Sequence, residues 1–213
     1  ISATRSSIQA ITAGGALTID GGGTGSVVAG GLGATLSLGG SSVVARTDII
    51  LPSGVININA TSGNLTVGGK LDVGGTAQEF FDLTKYTDAG NVTLSSATGN
   101  VVIDSTSVIN VGADSGGGDA GTLTVNAAKG TFTLAGTLQG TGGASFALDV
   151  ASLPSTAAIS STLNSAEFSG SRNFRVHTGD VLIDGTSTSH AFSLSADVGK
   201  IDVSGTIDAH GAT

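Results

Sequence analysis

Residues 91–104, NVTLSSATGNVVID, and residues 122–136, TLTVNAAKGTFTLAG, decide the fold. Apolar side chains stand seven and five residues before a glycine, Val92 and Leu94 before Gly99 and Leu123 and Val125 before Gly130. They return two and four residues after it, as Val101 and Ile103 and as Phe132 and Leu134. Strict alternation puts the apolar set on one face of a strand and the Thr, Ser and Asn between them on the other. Each glycine then marks a turn between two half-buried strands.

The same offsets recur around Gly63 (Ile56, Ile58, Leu65, Val67) and Gly199 (Phe192, Leu194, Ile201, Val203). A weaker copy falls on Gly15, with Ile8, Ala10, Leu17 and Ile19, and another on Gly179, with Val181 and Ile183 after it and a shifted Phe174 and Val176 before it. A third short strand follows in several copies, at Leu71 and Val73, Leu138 or Ile207, and two residues late at Ile109 and Val111. One such unit cannot bury its inner face alone, whereas stacked units close a continuous core. The spacing predicts an all-β fold, a right-handed parallel β-helix of roughly nine coils at about 20 residues per coil, a rod ~45 Å long.

Composition agrees with short strands and tight turns. The 213 residues include 35 glycines, only two prolines, and no Cys, Met or Trp. Hydrophobic residues make up 39 %, enough for a core and against a disordered chain. No apolar run approaches the ~20 residues of a helical membrane span. The net charge of −8, with no Lys/Arg cluster, argues against nucleic acid and anionic membranes as partners. The absence of Met and the character of both ends suggest a segment of a longer chain: a single β-helical domain over 1–213, interrupted by insertions at 76–90 and 153–170. Lack of Cys suits an exported bacterial protein but equally many cytosolic ones.

The run 91–104 followed by 109–140 resembles the repeat body of filamentous haemagglutinin-like exoproteins, the large cargo proteins of two-partner secretion. The likeness is fullest over 55–143, fair over 174–211 and loose over the first fifty residues. It implies a right-handed parallel β-helix, export through a dedicated outer-membrane partner, and an extracellular role in adhesion, aggregation or filament formation at the surface of a Gram-negative bacterium. Contacts with copies of itself, end to end or lateral, and with a surface glycan or protein receptor are implied with it.

The expectation for chemistry is no enzyme, no cofactor and no metal. Asp114 and Asp119 flank Gly116-Gly117-Gly118, a place where calcium ligands collect, but the ligand pattern does not repeat and a solvated turn is the plainer reading. His177, His190 and His210 share no spacing. Arg172, Arg175, His177, Asp180 and Asp184 crowd successive short strands as they would in a β-helical polysaccharide lyase or hydrolase. Their parity is mixed, so exposed charges on a solubilising face are the plainer account. Asp20, Asp104 and Asp184 read as turn initiators, and Gly21-Gly22-Gly23 and Gly142-Gly143 as turns. The insertion at 76–90 holds Phe80, Phe81 and Tyr86, the one aromatic cluster along the sequence. It is expected to leave the coil as a loop, hairpin or short helix and to serve as an interaction element, unless its rings fold back as a local core.

Overall fold

A computed structural model describes residues 8–21 and 26–209; Gly22, Gly23 and His210 lie outside the described residues. In chain order the strands are β1 (Ile8–Thr12), β2 (Leu17–Ile19), β3 (Val27–Ala29); β4 (Thr35–Gly40), β5 (Val43–Ala45), β6 (Asp48–Ile50); β7 (Val55–Ala60), β8 (Leu65–Val67), β9 (Lys70–Asp72). A hairpin, β10 (Ala77–Phe80) and β11 (Leu83–Tyr86), comes next. The series resumes with β12 (Asn91–Ser96), β13 (Val101–Ile103), β14 (Val108–Asn110); β15 (Thr122–Ala127), β16 (Phe132–Leu134), β17 (Thr137–Gln139); and β18 (Ser145–Val150). After the helix α1 (Ala157–Ser165) come β19 (Ser171–Val176), β20 (Val181–Ile183), β21 (Thr186–Thr188), β22 (Ala191–Ala196), β23 (Ile201–Val203) and β24 (Thr206–Asp208).

These form an all-β, solenoid-like arrangement of parallel sheets. One sheet runs unbroken through eight strands in the order β1-β4-β7-β12-β15-β18-β19-β22. Two five-stranded sheets, β2-β5-β8-β13-β16 and β3-β6-β9-β14-β17, accompany it, and the pairs β20-β23 and β21-β24 resume beyond α1. Equivalent residues sit in register. Leu36, Ile56, Val92, Leu123 and Phe146 make one inward column and Leu38, Ile58, Leu94, Val125 and Leu148 the next. In the second sheet Leu65, Val67, Val101 and Ile103 are fully buried opposite one another.

The glycine of each repeat has a direct steric reason. A Cβ on Gly99 would meet the Gly63 backbone 2.5 Å away, and one on Gly130 would fall on the Gly99 carbonyl oxygen. The turns stack backbone on backbone, so any side chain there would force the coils apart.

The structure departs from the sequence reading in four places. First, β1 pairs Gln9 and Ile11, not Ile8 and Ala10, with the inward Leu36 and Leu38. The link from Ile11 to Leu17 is one residue shorter than that from Ile58 to Leu65, and a one-residue slip inverts every side chain. Second, Phe174 is not shifted: it stands in the column of Leu148 and Leu194, and Arg172 takes the place in the other column between Phe146 and Phe192. Third, Ile201 and Val203 align with Val181 and Ile183 but are exposed, and Phe132 and Leu134 are half-buried, because neither strand is covered by a further strand on one side. Fourth, residues 153–170, expected to be irregular, carry α1 at the level where two short strands would stand.

Helix α1 is fastened to the neighbouring strands by side chains that imitate strand pairing. Asn164 Nδ2 donates to the Thr186 carbonyl and its Oδ1 accepts from the Thr188 N–H, at 2.8 and 3.1 Å. At the other end Asp184 accepts from the N–H groups of Thr156 and Ala157 and from the Ser155 hydroxyl. This carboxylate, read from sequence as a turn initiator, thus caps a helix N-terminus from outside it. The helix ends in a Schellman motif: the Phe168 N–H bonds to the Leu163 carbonyl and Glu167 N–H to that of Asn164, with Glu167 at φ 60°.

Candidate interaction surface

The segment 76–90 leaves the stack between β9 and β12 as the antiparallel hairpin β10–β11. Its register pairs Ala77 with Tyr86 and Phe80 with Leu83, leaving Phe81 and Asp82 as a two-residue turn. Such turns need positive φ and are normally built from Gly, Asn or Asp. Phe81 nonetheless adopts φ 55°, a conformation that costs a bulky residue about 1 kcal/mol or more. Its side chain is fully exposed, and Phe80 and Leu83 beside it are 57 % and 51 % exposed.

The two aromatic ends of the hairpin behave differently. The Tyr86 ring lies over Gly116 and Gly117, where an added Cβ would collide with it, and a Cβ on Gly118 would meet the Thr87 carbonyl at 2.5 Å. Gly117 and Gly118 also have φ of 147° and 86°. The glycine run therefore makes room for the hairpin base. Asp114 accepts from the Gly116 N–H, and the Asp119 N–H donates to Asp88, so this turn is held by its own Asp114 carboxylate and by Asp88 at the hairpin base. Among the described residues no three of His, Cys, Asp and Glu gather closely enough to hold a metal ion.

The charged residues grouped by sequence do not converge. Arg172 points into the core and is fully buried, contrary to its reading as a surface charge. Its Nε donates to the Phe168 carbonyl at 2.9 Å and Nη1 to Ser187 Oγ at 3.0 Å, while Nη2 has no partner among the described residues. Burial lowers its pKa to about 10. Arg175 and His177 lie outside. His177 bridges Asp149, 2.6 Å from Nε2, and Asp197, 2.8 Å from Nδ1, and Arg175 donates to Asp197 through Nε and Nη2. The Arg175 bond holds the Asp197 carboxyl below its usual range. Asp180 accepts from the Lys200 N–H, and Asp184 is occupied at α1, where the Ser155 hydroxyl holds its carboxyl low. These bonds tie neighbouring turns to one another.

Aromatic residues gather in the core as well, which the sequence order conceals. Phe132, Phe146, Phe168, Phe174 and Phe192 form a chain of ring contacts with centroids 5.6–6.3 Å apart at the level of α1. Beside them, where α1 follows β16, the stack opens into a cavity of about 150 Å³ lined chiefly by Phe132, Leu134, Leu148, Val150, Leu153 and Ile159. The helix does not cover β16 as a strand would, so Phe132 and Leu134 stay half-buried.

No family model, curated protein or solved structure matches this chain. Among the described residues no helix is long and apolar enough to cross a membrane.

Proposed function

We propose that this chain is a structural and adhesive segment of a secreted bacterial surface fibre, related in kind to the filamentous haemagglutinin-like exoproteins. In this reading it is a right-handed parallel β-helix in which each strand of the long sheet opens one coil, giving eight coils among the described residues. The parent chain would cross the outer membrane through a dedicated partner and present the rod at the cell surface to a glycan or protein receptor.

The observation that carries the reading is the unbroken eight-stranded parallel sheet with its in-register side-chain columns. Ladder hydrogen bonds along the whole stack make a stiff element without disulfide or metal, which is what a surface spacer requires. The exposed aromatic tip of β10–β11 adds a contact element, since exposed aromatic clusters mark interaction sites. Electron microscopy of the native protein tests this: filaments or elongated rods support it, and isolated compact particles overturn it. The polysaccharide-cleaving alternative makes its own demand. Depolymerisation of an acidic polysaccharide that vanishes in Asp180→Ala or Asp184→Ala would establish it in place of the fibre reading.

A further inference from the structure

We propose that the hairpin tip of one copy inserts Phe81 into the apolar cavity beside α1 of a second copy, so that the chain carries a knob and a matching socket for itself. The inference rests on the scaffold reading and names the partner of its contact element.

The two halves fit in size. The socket is about 150 Å³, partly open, and lined by Phe, Leu, Val and Ile side chains together with Ser152, Ala158 and Thr162. An enclosed apolar cavity of that volume has room for a benzene ring, so the space suffices for a phenylalanine side chain entering from the open side. The knob is the one large ring that the described structure leaves wholly uncovered, held outward by a backbone conformation that disfavours it. Phe80 and Leu83 flank it on one face of the hairpin and supply a collar of apolar contact around the mouth.

They also fit in charge. Asp82 follows Phe81 at the tip, exposed and without an ion pair among the described residues. Lys129 is exposed in the turn whose Ala127 and Gly130 carbonyls accept from the Ala151 N–H, next to Ser152 at the socket's rim, and it too has no ion pair among the described residues. On a chain of net charge −8, an exposed lysine in the turn adjoining the socket favours an acidic tip over the rest of the surface.

A copy cannot satisfy itself. The hairpin leaves where the chain passes from the third sheet back to the long one, between β9 and β12. The socket lies where the long sheet's β18 leads into α1, beside β16 of the second sheet. Knob and socket are thus on different edges of the stack, and the contact is head-to-tail. Where the rotation between copies does not close a ring, repetition of such a contact makes a row of laterally joined rods.

The chain has no cysteine, so single cysteines report the contact cleanly. Asp82→Cys and Lys129→Cys variants of the full chain are mixed under mild oxidation and the products separated by size and mass. The expected product is the mixed disulfide dimer, in clear excess over either homodimer. Adding Phe81→Ser to the Asp82→Cys chain, or Ala158→Leu to the Lys129→Cys chain to fill the socket from within, should each lower its yield about tenfold. Melting temperatures are read alongside: Phe81→Ser changes an exposed tip, so its loss of product at an unchanged melting temperature assigns the effect to the knob. Mixed dimer no more abundant than homodimers, or a yield indifferent to Phe81→Ser, overturns the inference. Rods by electron microscopy without mixed product overturn the socket and leave the scaffold reading standing. Mixed product from particles with no rod shape supports the socket and sinks the scaffold reading.

Discussion

Replacing Arg172 by leucine and, separately, by lysine sets charge against shape at a position that every complete neighbouring repeat fills with an apolar side chain. The guanidinium is fully buried between Phe146 and Phe192, and the displacement of its pKa down to about 10 reflects desolvation. That displacement corresponds to a penalty of about 3 kcal/mol on the charged form. At neutral pH the guanidinium is charged in both the folded and the unfolded chain, so the penalty is fully present. Leucine removes it but orphans the Phe168 carbonyl, at a cost of about 1–3 kcal/mol, and frees Ser187 to find another partner. The two changes nearly cancel, and the leucine variant should unfold within about 1 kcal/mol of the parent. Lysine keeps the charge and its penalty, yet cannot reach Phe168 and Ser187 together as the planar fork does, and should cost about 2–4 kcal/mol. Equilibrium urea unfolding at neutral pH, followed by circular dichroism, measures both. A leucine variant weaker by more than about 3 kcal/mol, or a lysine variant as stable as the parent, refutes the idea of an uncompensated charge.

Four other outcomes follow from named contacts. Gly130→Ala should lose about 2–4 kcal/mol in the same urea assay, because its Cβ would strike backbone that cannot yield. Asn164→Asp replaces the donor facing the Thr186 carbonyl with a second acceptor and should cost about 1–3 kcal/mol, with amide hydrogen exchange rising first in β21. Glu167→Gly relieves φ 60° at the end of α1 and should raise stability by about 1 kcal/mol, read as a higher melting temperature. The Asp184 carboxyl is held low, so its contribution is present above the unfolded carboxylate range near pH 4 and lost as pH falls through the folded value. The melting-temperature gap between parent and Asp184→Asn should therefore be widest near neutrality and close in acid; a gap that widens in acid contradicts the capping role.

The stack was legible in the sequence wherever burial on both sides fixes the register. Ile56, Val92 and Leu123 keep one offset from their glycines because each packs on the next and the turns beneath touch backbone to backbone. At β1 this constraint lapses: its residues are exposed, and a turn one residue shorter is tolerated, so the offset from Gly15 misleads by one. Arg172 was misread because a charged residue at an inward offset looks like a break in the pattern. The correct signal was that Phe174, Val181 and Ile183 keep their offsets from Gly179 around it. Helix α1 left little trace, since AAISSTLNS is rich in Ser and Thr and its inward face is only Ser160 and Leu163. The hairpin was visible as a departure from the repeat, but its turn, Phe81-Asp82, lacks the glycine that would have declared it.

The asymmetry between the sheets explains why the irregular features lie where they do. Strands of the long sheet beyond β1 are six residues, against three in the two companion sheets, so each long strand contributes about twice the ladder. Interrupting the long sheet would divide the stack, whereas interrupting a short one removes few bonds, some of which Asn164 and Asp184 replace. The chain accordingly puts its hairpin and its helix in the links that leave or rejoin the long sheet, never within it. A helix there also opens a space that three-residue strands would have closed, and it is this substitution that leaves Phe132 and Leu134 only half-buried beside the cavity. Restoring strand character at 157–165 would on this argument lengthen the regular stack and erase the socket together.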